Sequence, residues 1–250
     1  MGRKFGKVHM LLGILSALLI VFPIVSSAQE VITNRSGTIR ITTPEGRVFT
    51  VTKDQPLPAI PSGSTIEILE GKVDISPREG FVKVIVSGSA GIIEGGEVVI
   101  ASLDPMTGNA NYAVISGEIE VISGNTTVKL NKWQEAQINF NKTTGVAEIK
   151  SIKGEIETIT VGIKTLIMQG AVARINVDPK TRVVHVKSAM GELHVTSLDG
   201  KVFRVTEGES METEGAAEGE IQTFGEGIET VVPEEEPVEP ERPEASPHRP

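Results

Sequence analysis

Short runs in which branched apolar residues alternate with polar residues recur along most of the chain. Examples are residues 38–42 (TIRIT), 65–69 (TIEIL) and 183–187 (VVHVK). Alternation with a period of two in Val, Ile and Thr is typical of strands with one buried face, and apolar residues at helical spacing are not found over a useful length. The pattern therefore predicts that residues 29–213 form an all-β domain of short antiparallel strands: a β-sandwich, a jelly roll or a short β-helix.

Three segments of this region resemble one another. They begin at Gly37, Gly117 and Gly191, and each consists of a strand, a turn and a second strand. The turn pairs are Glu45-Gly46, Gly124-Asn125 and Asp199-Gly200, residue types that accept the positive φ of a tight hairpin. The starts are 80 and 74 residues apart, too far for a simple solenoid coil. We expect equivalent hairpins in two or three related units that share one β core.

The first 28 residues have the pattern of a secretory signal peptide. Residues 1–9 carry three cations and no acid, residues 10–25 are apolar except for Ser16, and Ser26-Ser27-Ala28 supplies small residues for cleavage before Gln29. A transmembrane anchor would need about 20 apolar residues, whereas this stretch is shorter and contains Pro23. We expect an exported protein, periplasmic or secreted, with no retained membrane anchor.

Composition narrows the function classes. The chain has no Cys, so thiol chemistry and disulfides are excluded and the domain must be held by its own core. Residues 29–206 hold 19 acidic and 19 basic residues, whereas residues 207–250 hold 14 Glu and 2 Arg. No basic patch is evident, which argues against a nucleic-acid partner. The Glu- and Pro-rich residues 214–250 are predicted to be a disordered tail, either a solvating terminus or an arm for a basic partner.

Two stretches resemble the FecR-like family of bacterial envelope domains. One is the strand pair GEIEV at Gly117 with VKL at Val128 and EAQ at Glu135, and the other is residues 61–68 followed by residues 71–75. The resemblance covers residues 31–140 and recurs in residues 191–213. It implies a non-enzymatic β domain. Regulators of this family carry a cytoplasmic anti-sigma segment and a retained anchor, neither of which is predicted here, so what carries over is the β architecture and a role in binding or scaffolding.

Residues with catalytic or metal-binding potential do not form a recognisable motif. His185 and His194 lie in predicted strands beside valines that should point inward, so both imidazoles should point outward. A metal site or a catalytic triad would need converging partners. The alternating acids at residues 118, 120, 155 and 157 are typical of a solvated sheet face rather than of a glycosidase pair. We expect no enzymatic activity, no cofactor and no metal.

Trp133 is the candidate contact residue. It is the only Trp of the chain and follows the second strand of the hairpin that begins at Gly117. A lone Trp at a strand exit can be a lid on the core, or it can be an exposed anchor, the residue type enriched at interface hot spots.

We expect an exported protein that binds or scaffolds another envelope protein, with Trp133 as the possible contact. The alternative is a jelly-roll carrier or chaperone for a lipid or glycan, which would need an apolar groove open at a sheet edge. The sequence does not indicate the oligomeric state.

Overall fold

The structure, a computed structural model, describes residues 31–216 of the chain. This range contains eighteen β-strands and no α-helix. In most strands buried residues alternate with half-buried or exposed ones, as the sequence pattern predicts. The predicted all-β fold of short strands and repeated hairpins is therefore confirmed. The predicted signal peptide and residues 217–250 of the predicted tail lie outside the described residues.

The strands follow one another with short connections. The first nine are β1 (Ile32–Thr42), β2 (Val48–Thr52), β3 (Thr65–Ile75), β4 (Phe81–Val86), β5 (Ser89–Glu94), β6 (Val98–Leu103), β7 (Ala110–Ser116), β8 (Glu118–Ser123) and β9 (Thr126–Asn131). The second nine are β10 (Glu135–Asn141), β11 (Val146–Lys153), β12 (Ile156–Thr160), β13 (Ile163–Ile167), β14 (Val172–Val177), β15 (Val183–Met190), β16 (Leu193–Thr196), β17 (Val202–Val205) and β18 (Ser210–Glu214).

All eighteen strands belong to one hydrogen-bonded sheet that folds over into two layers. Layer A consists, in order, of β2, the second half of β1, the first half of β3, β4, β5, β8, β9, β12, β13, β16 and β17. Layer B consists of the first half of β1, the second half of β3, β6, β7, β10, β11, β14, β15 and β18. The two layers are joined where β1 and β3 bend from one to the other. Only the junction between β3 and β4 is parallel.

Two hairpins, one in each layer, make a repeat of 37 residues. Each repeat begins with a glycine of positive φ just before its layer A hairpin, at Gly80, Gly117, Gly154 and Gly191. The hairpins that the sequence showed at Gly117 and Gly191 therefore lie two repeats apart, with β12–β13 between them. Their 74-residue separation, too long for a simple solenoid coil, is therefore the length of two repeats. The N-terminal hairpin β1–β2 lies outside this regular spacing.

The inward faces of the two layers form one apolar core, built from the buried Ile, Val, Leu and Ala side chains of nearly every strand. Tyr112 of β7 is fully buried, and its hydroxyl donates a hydrogen bond across the core to the carbonyl of Ser89 in β5, at 3.2 Å. Burial raises the pKa of the Tyr112 phenol. Interior packing of this kind accounts for the stability of a domain without disulfides.

Candidate functional site

One long side of the sandwich, which we call the crossover edge, consists of the short segments that carry the chain between the layers. Within each repeat such a segment leads from layer A to layer B, at residues 95–97, 132–134, 168–171 and 206–209. Between repeats the chain returns to layer A through Gly117, Gly154 or Gly191. Trp133 lies in the second of the outgoing crossovers.

The same backbone hydrogen bond closes every outgoing crossover. Four N–H groups, at successive intervals of 37, 37 and 38 residues, each donate to a carbonyl in or just after the last part of a layer B strand. The bonds are Gly96 to Pro77 (2.8 Å), Trp133 to Val114 (2.7 Å), Gly170 to Ser151 (2.9 Å) and Gly208 to Ser188 (2.9 Å). The fold thus imposes one backbone geometry on these four positions.

Trp133 departs from the other three residues because it is not a glycine. Its φ is +69°, in the left-handed region, and Gly96, Gly170 and Gly208 adopt φ of +93°, +83° and +85° at the equivalent positions. For a residue with a Cβ this region costs about 1–2 kcal/mol, and a bulky residue there is an outlier. Backbone strain held at a surface position in this way is often associated with function.

The Trp133 side chain is a surface feature. It is 54% exposed, so it does not act as a lid on the core. The ammonium groups of Lys132 and Lys153 lie 5.2 and 5.8 Å from the ring centroid, within the range of cation–π interaction. Ile152 and Met190 add exposed apolar surface to the same edge of the sandwich. Trp133, Lys132 and Lys153 are called the Trp133 cluster below.

The neighbouring residue Gln134 holds the crossover in place. Its Oε1 accepts from the Asn131 N–H at 2.6 Å, and its Nε2 donates to the Glu155 carbonyl at 2.5 Å, which links two repeats. Glu97 fills the same position one repeat earlier, where it accepts from the N–H groups of Glu94 and Glu118. Burial raises the pKa of the Glu97 carboxyl. The Trp133 ring is therefore carried on a backbone that is fixed on both sides.

The side chains of the Trp133 cluster offer two kinds of contact. A ring face offers an apolar contact, and the two ammonium groups beside it can donate to an anionic group. Sequence reasoning found Trp133 but missed Lys132, Lys153 and Gln134. The 37-residue spacing could have found the site, because it places Trp133 midway between Gly96 and Gly170, and Gly208 follows after 38 residues.

The two strand histidines point outward, as predicted, and lie in different layers. In β15, His185 Nδ1 lies 3.1 Å from Glu212 Oε1, and in β16, His194 Nε2 lies 2.7 Å from Glu192 Oε1. The hydrogen bonds from Arg204 and His194 lower the pKa of Glu192. Within residues 31–216 no group of three or more His, Asp or Glu side chains is arranged to hold a metal ion.

Two of the four alternating carboxylates, Glu120 and Glu157, belong to ion pairs on the outer face of layer A. Glu120 pairs with Lys129 across β8 and β9 at 3.3 Å, and Glu157 pairs with Lys164 across β12 and β13 at 3.0 Å. Such cross-strand pairs between exposed side chains stabilise a sheet by a few tenths of a kcal/mol to about 1 kcal/mol. These acids are therefore explained by the sheet itself.

A lipid or glycan carrier would need an apolar groove at a sheet edge. In the described residues the space between the layers is filled by core side chains. A shallow open groove lies over the bend of β1 and β3, and it is lined by polar residues together with Gly37, Gly71 and Pro105. Within residues 31–216 the structure therefore shows no open apolar groove between the layers.

Comparison with known proteins adds little to the geometry. No family model matches the sequence, and no curated protein matches it. The structure of the wild-type TCP10 domain of Danio rerio CPAP in complex with a peptide of Danio rerio STIL is 16% identical, over 74% of this chain and 98% of that one. Its TM-score is 0.14, which supports no inference. Residues 31–216 contain no helix that is long and apolar enough to cross a membrane. The described residues form a two-layer, almost wholly antiparallel β protein that carries the exposed Trp133 cluster on its crossover edge.

Proposed function

We propose that this protein is an exported, non-catalytic β scaffold that binds another protein of the bacterial envelope through the Trp133 cluster. The observation that carries the proposal is the left-handed backbone of an exposed Trp at a position where three other repeats have Gly. A side chain retained at a cost of about 1–2 kcal/mol to the fold is accounted for by a contact outside the fold. The signal-peptide pattern and the resemblance to FecR-like domains support the location and the scaffold role.

The two lysines indicate the chemistry of the partner. Lys132 and Lys153 bring positive charge to the ring, so the cluster suits a protein surface that presents an apolar side chain beside a carboxylate. Trp is among the residues most enriched at interface hot spots, where truncation typically costs about 2 kcal/mol or more, roughly a thirtyfold loss of affinity.

The proposal is tested by in-cell crosslinking and affinity capture with matched variants. Trp133→Gly removes the ring and installs the residue found at the equivalent positions, so the fold should persist. Met106→Ala is the control, because Met106 is an exposed apolar residue in the turn between β6 and β7, away from the crossover edge. We expect one discrete protein to be captured with the unaltered chain and with Met106→Ala, and to be lost with Trp133→Gly.

Two outcomes would contradict the proposal. Equal capture by the Trp133→Gly variant would show that the cluster is not the contact. Recovery of lipid or glycan alone would favour a carrier.

A further inference from the structure

The two ends of layer A are strands of nearly the same sequence. At one end β2 reads Val-Phe-Thr-Val-Thr over Val48–Thr52, and at the other β17 with its following residue reads Val-Phe-Arg-Val-Thr. Among the described residues β2 pairs only with β1, and β17 pairs only with β16. Each strand therefore leaves one edge of backbone groups open, which is a template for pairing with another chain.

The backbone groups that point away from the sheet lie at matching positions of β2 and β17. Thr43 N–H donates to the Arg47 carbonyl at 2.9 Å, and Ser197 N–H donates to the Lys201 carbonyl at 3.0 Å. These two pairs are hydrogen-bonded, and antiparallel ladders alternate between hydrogen-bonded and non-hydrogen-bonded pairs. Thr50 and Arg204 lie three residues further along their strands and so fall in non-hydrogen-bonded pairs. Their backbone N–H and C=O groups therefore point outward, away from the partner strand.

A side chain caps the last outward N–H group of each open edge. Thr52 N–H is capped by Gln55 Oε1 at 3.0 Å, and Thr206 N–H is capped by Glu209 Oε2 at 2.8 Å. Each edge is thus left with one short window of free donors and acceptors.

Apolar side chains surround these windows. Val48 is 59% exposed and Val202 is 64% exposed. Phe203 is also exposed, although it shares its repeat position with Val128 and Thr165, which are buried. Those two residues are covered because β12 and β16 pair with the strands that carry them. Phe203 lacks such a cover within the described residues.

We propose that a second copy of this chain supplies the cover, with β2 of one copy pairing with β17 of the next in a head-to-tail assembly. Between β2 and β17 layer A has nine antiparallel junctions and one parallel junction. The two strands therefore run in opposite directions. Copies stacked in the same orientation bring them together as an antiparallel pair, and layer A continues from one copy into the next.

The hydrophobic pattern sets the register of this junction. The inward residues Phe49 and Val51 of one copy come opposite Val205 and Phe203 of the next. The outward backbone groups of Thr50 and Arg204 then face each other and can exchange hydrogen bonds.

Charge favours the head-to-tail junction over the symmetric ones. In the register above, Arg47 comes opposite Glu207. Pairing of β2 with another β2 would put Arg47 opposite Lys53 twice, and pairing of β17 with another β17 would put Arg204 opposite itself. Like charges directly opposite each other destabilise a sheet. Lys53 would meet Lys201 in the head-to-tail junction, but Lys201 is paired with Asp199 at 2.6 Å.

Layer B does not offer an equivalent junction. Beside the first half of β1, the Arg35 guanidinium donates to the carbonyls of Lys53 and Gln55. The segment from Lys53 to Gln55 therefore lies against the N-terminal edge of layer B. The assembly therefore depends on layer A and is independent of the Trp133 cluster.

Sedimentation velocity of the chain without its predicted signal, from low micromolar to near-millimolar concentration, tests the proposal. Thr50→Pro removes the outward N–H of β2, and Arg204→Pro removes that of β17; an edge strand tolerates proline where the N–H faces outward. Thr50→Val and Arg204→Lys are the matched controls that keep the N–H. We expect the unaltered chain and the controls to form a concentration-dependent series of oligomers, and each proline variant alone to remain a monomer.

Mixing the two proline variants gives the decisive result. The intact β17 of Thr50→Pro can pair with the intact β2 of Arg204→Pro, so the mixture should form 1:1 dimers and nothing larger. A chain that stays monomeric at all concentrations would overturn the proposal. Dimers of Thr50→Pro alone would also overturn it, because they would show β17 pairing with itself.

A charge exchange keeps the test valid if a proline variant fails to fold. Arg47→Glu and Glu207→Arg should each weaken association by about fivefold, the scale of an exposed cross-strand ion pair. The double variant, or a mixture of the two single variants, should restore it. Equal association by all four samples would count against this junction.

Discussion

Gly37 and Gly71 lie directly opposite each other in the pairing of β1 with β3, at the point where both strands bend from one layer to the other. Both have positive φ, at +98° and +82°. A Cβ on Gly37 would lie 2.3 Å from the Glu70 carbonyl oxygen, and one on Gly71 would lie 2.0 Å from the Ser36 carbonyl oxygen. Because each glycine approaches the backbone of the other strand, neither position can accept a side chain without movement of both strands.

Gly71→Ala should therefore destabilise the protein strongly. The change combines left-handed strain with a backbone clash, and we expect a loss of about 3 kcal/mol or more in the free energy of unfolding. Chemical denaturation followed by circular dichroism measures this loss. Gly46→Ala is the control, because Gly46 has φ of +79° but open space around its Cα. It should lose only about 1 kcal/mol, and an equal loss in both variants would show that the close approach is unimportant.

Trp133→Gly should leave the stability of the domain nearly unchanged. The change relieves the left-handed strain but increases the entropy of the unfolded chain, so we expect a difference within about 1 kcal/mol. Trp133→Ala also removes the ring but keeps the strain, so it should be the less stable of the two variants. Denaturation followed by circular dichroism compares them. An alanine variant as stable as the glycine variant would contradict the idea that position 133 is strained.

The strands could be predicted from the sequence because their signal is local. Alternation placed Val184 and Val186 inside and His185 outside, and the turn pairs located the hairpins β1–β2, β8–β9 and β16–β17. The regular repeat was missed because the hairpin at Gly154 turns at Val161-Gly162 instead of at a Glu-Gly, Asp-Gly or Gly-Asn pair. The bend at Gly37 and Gly71 also escaped, since it depends on two residues brought together only by the pairing of β1 with β3.

The candidate site could likewise be predicted only in part from the sequence. Trp133 was visible as an isolated aromatic, but its exposure and strain follow from the bond between its N–H and the Val114 carbonyl. Lys153 reaches the ring from the end of the next hairpin. Neither contact has a local sequence signal.

Glu97→Gln should remove a pH dependence of stability between acid and neutral pH. Burial raises the pKa of Glu97, so the folded chain keeps this proton to higher pH than the unfolded chain, and stability falls as the pH rises through that window. Gln lacks this titration, and Gln134 already fills the equivalent position. The stability of the variant relative to that of the unaltered chain should therefore increase from acid to neutral pH. Denaturation at a series of pH values measures it.

The control for that series is Glu209→Gln at the same repeat position. Hydrogen bonds from the Thr206 N–H and hydroxyl lower the pKa of Glu209, so its charged form stabilises the fold above its ordinary pKa and this contribution is lost in acid. The variant should be less stable than the unaltered chain at neutral pH, and the difference should vanish in acid. Shifts of the same sign in both variants would contradict the assigned burial of Glu97.

Tyr112 makes the core observable at alkaline pH because it is the only Tyr of the chain. Burial raises its pKa, so the unfolded chain loses the phenolic proton first and stability falls as the pH rises above about 10. Tyrosinate absorbance should therefore appear only together with loss of the β circular dichroism signal. Tyr112→Phe removes the bond to Ser89, which should cost about 1 kcal/mol at neutral pH, and should also make the stability less sensitive to alkali. Tyrosinate forming near pH 10 in a protein that keeps its β signal would show that the phenol is reached by water without unfolding.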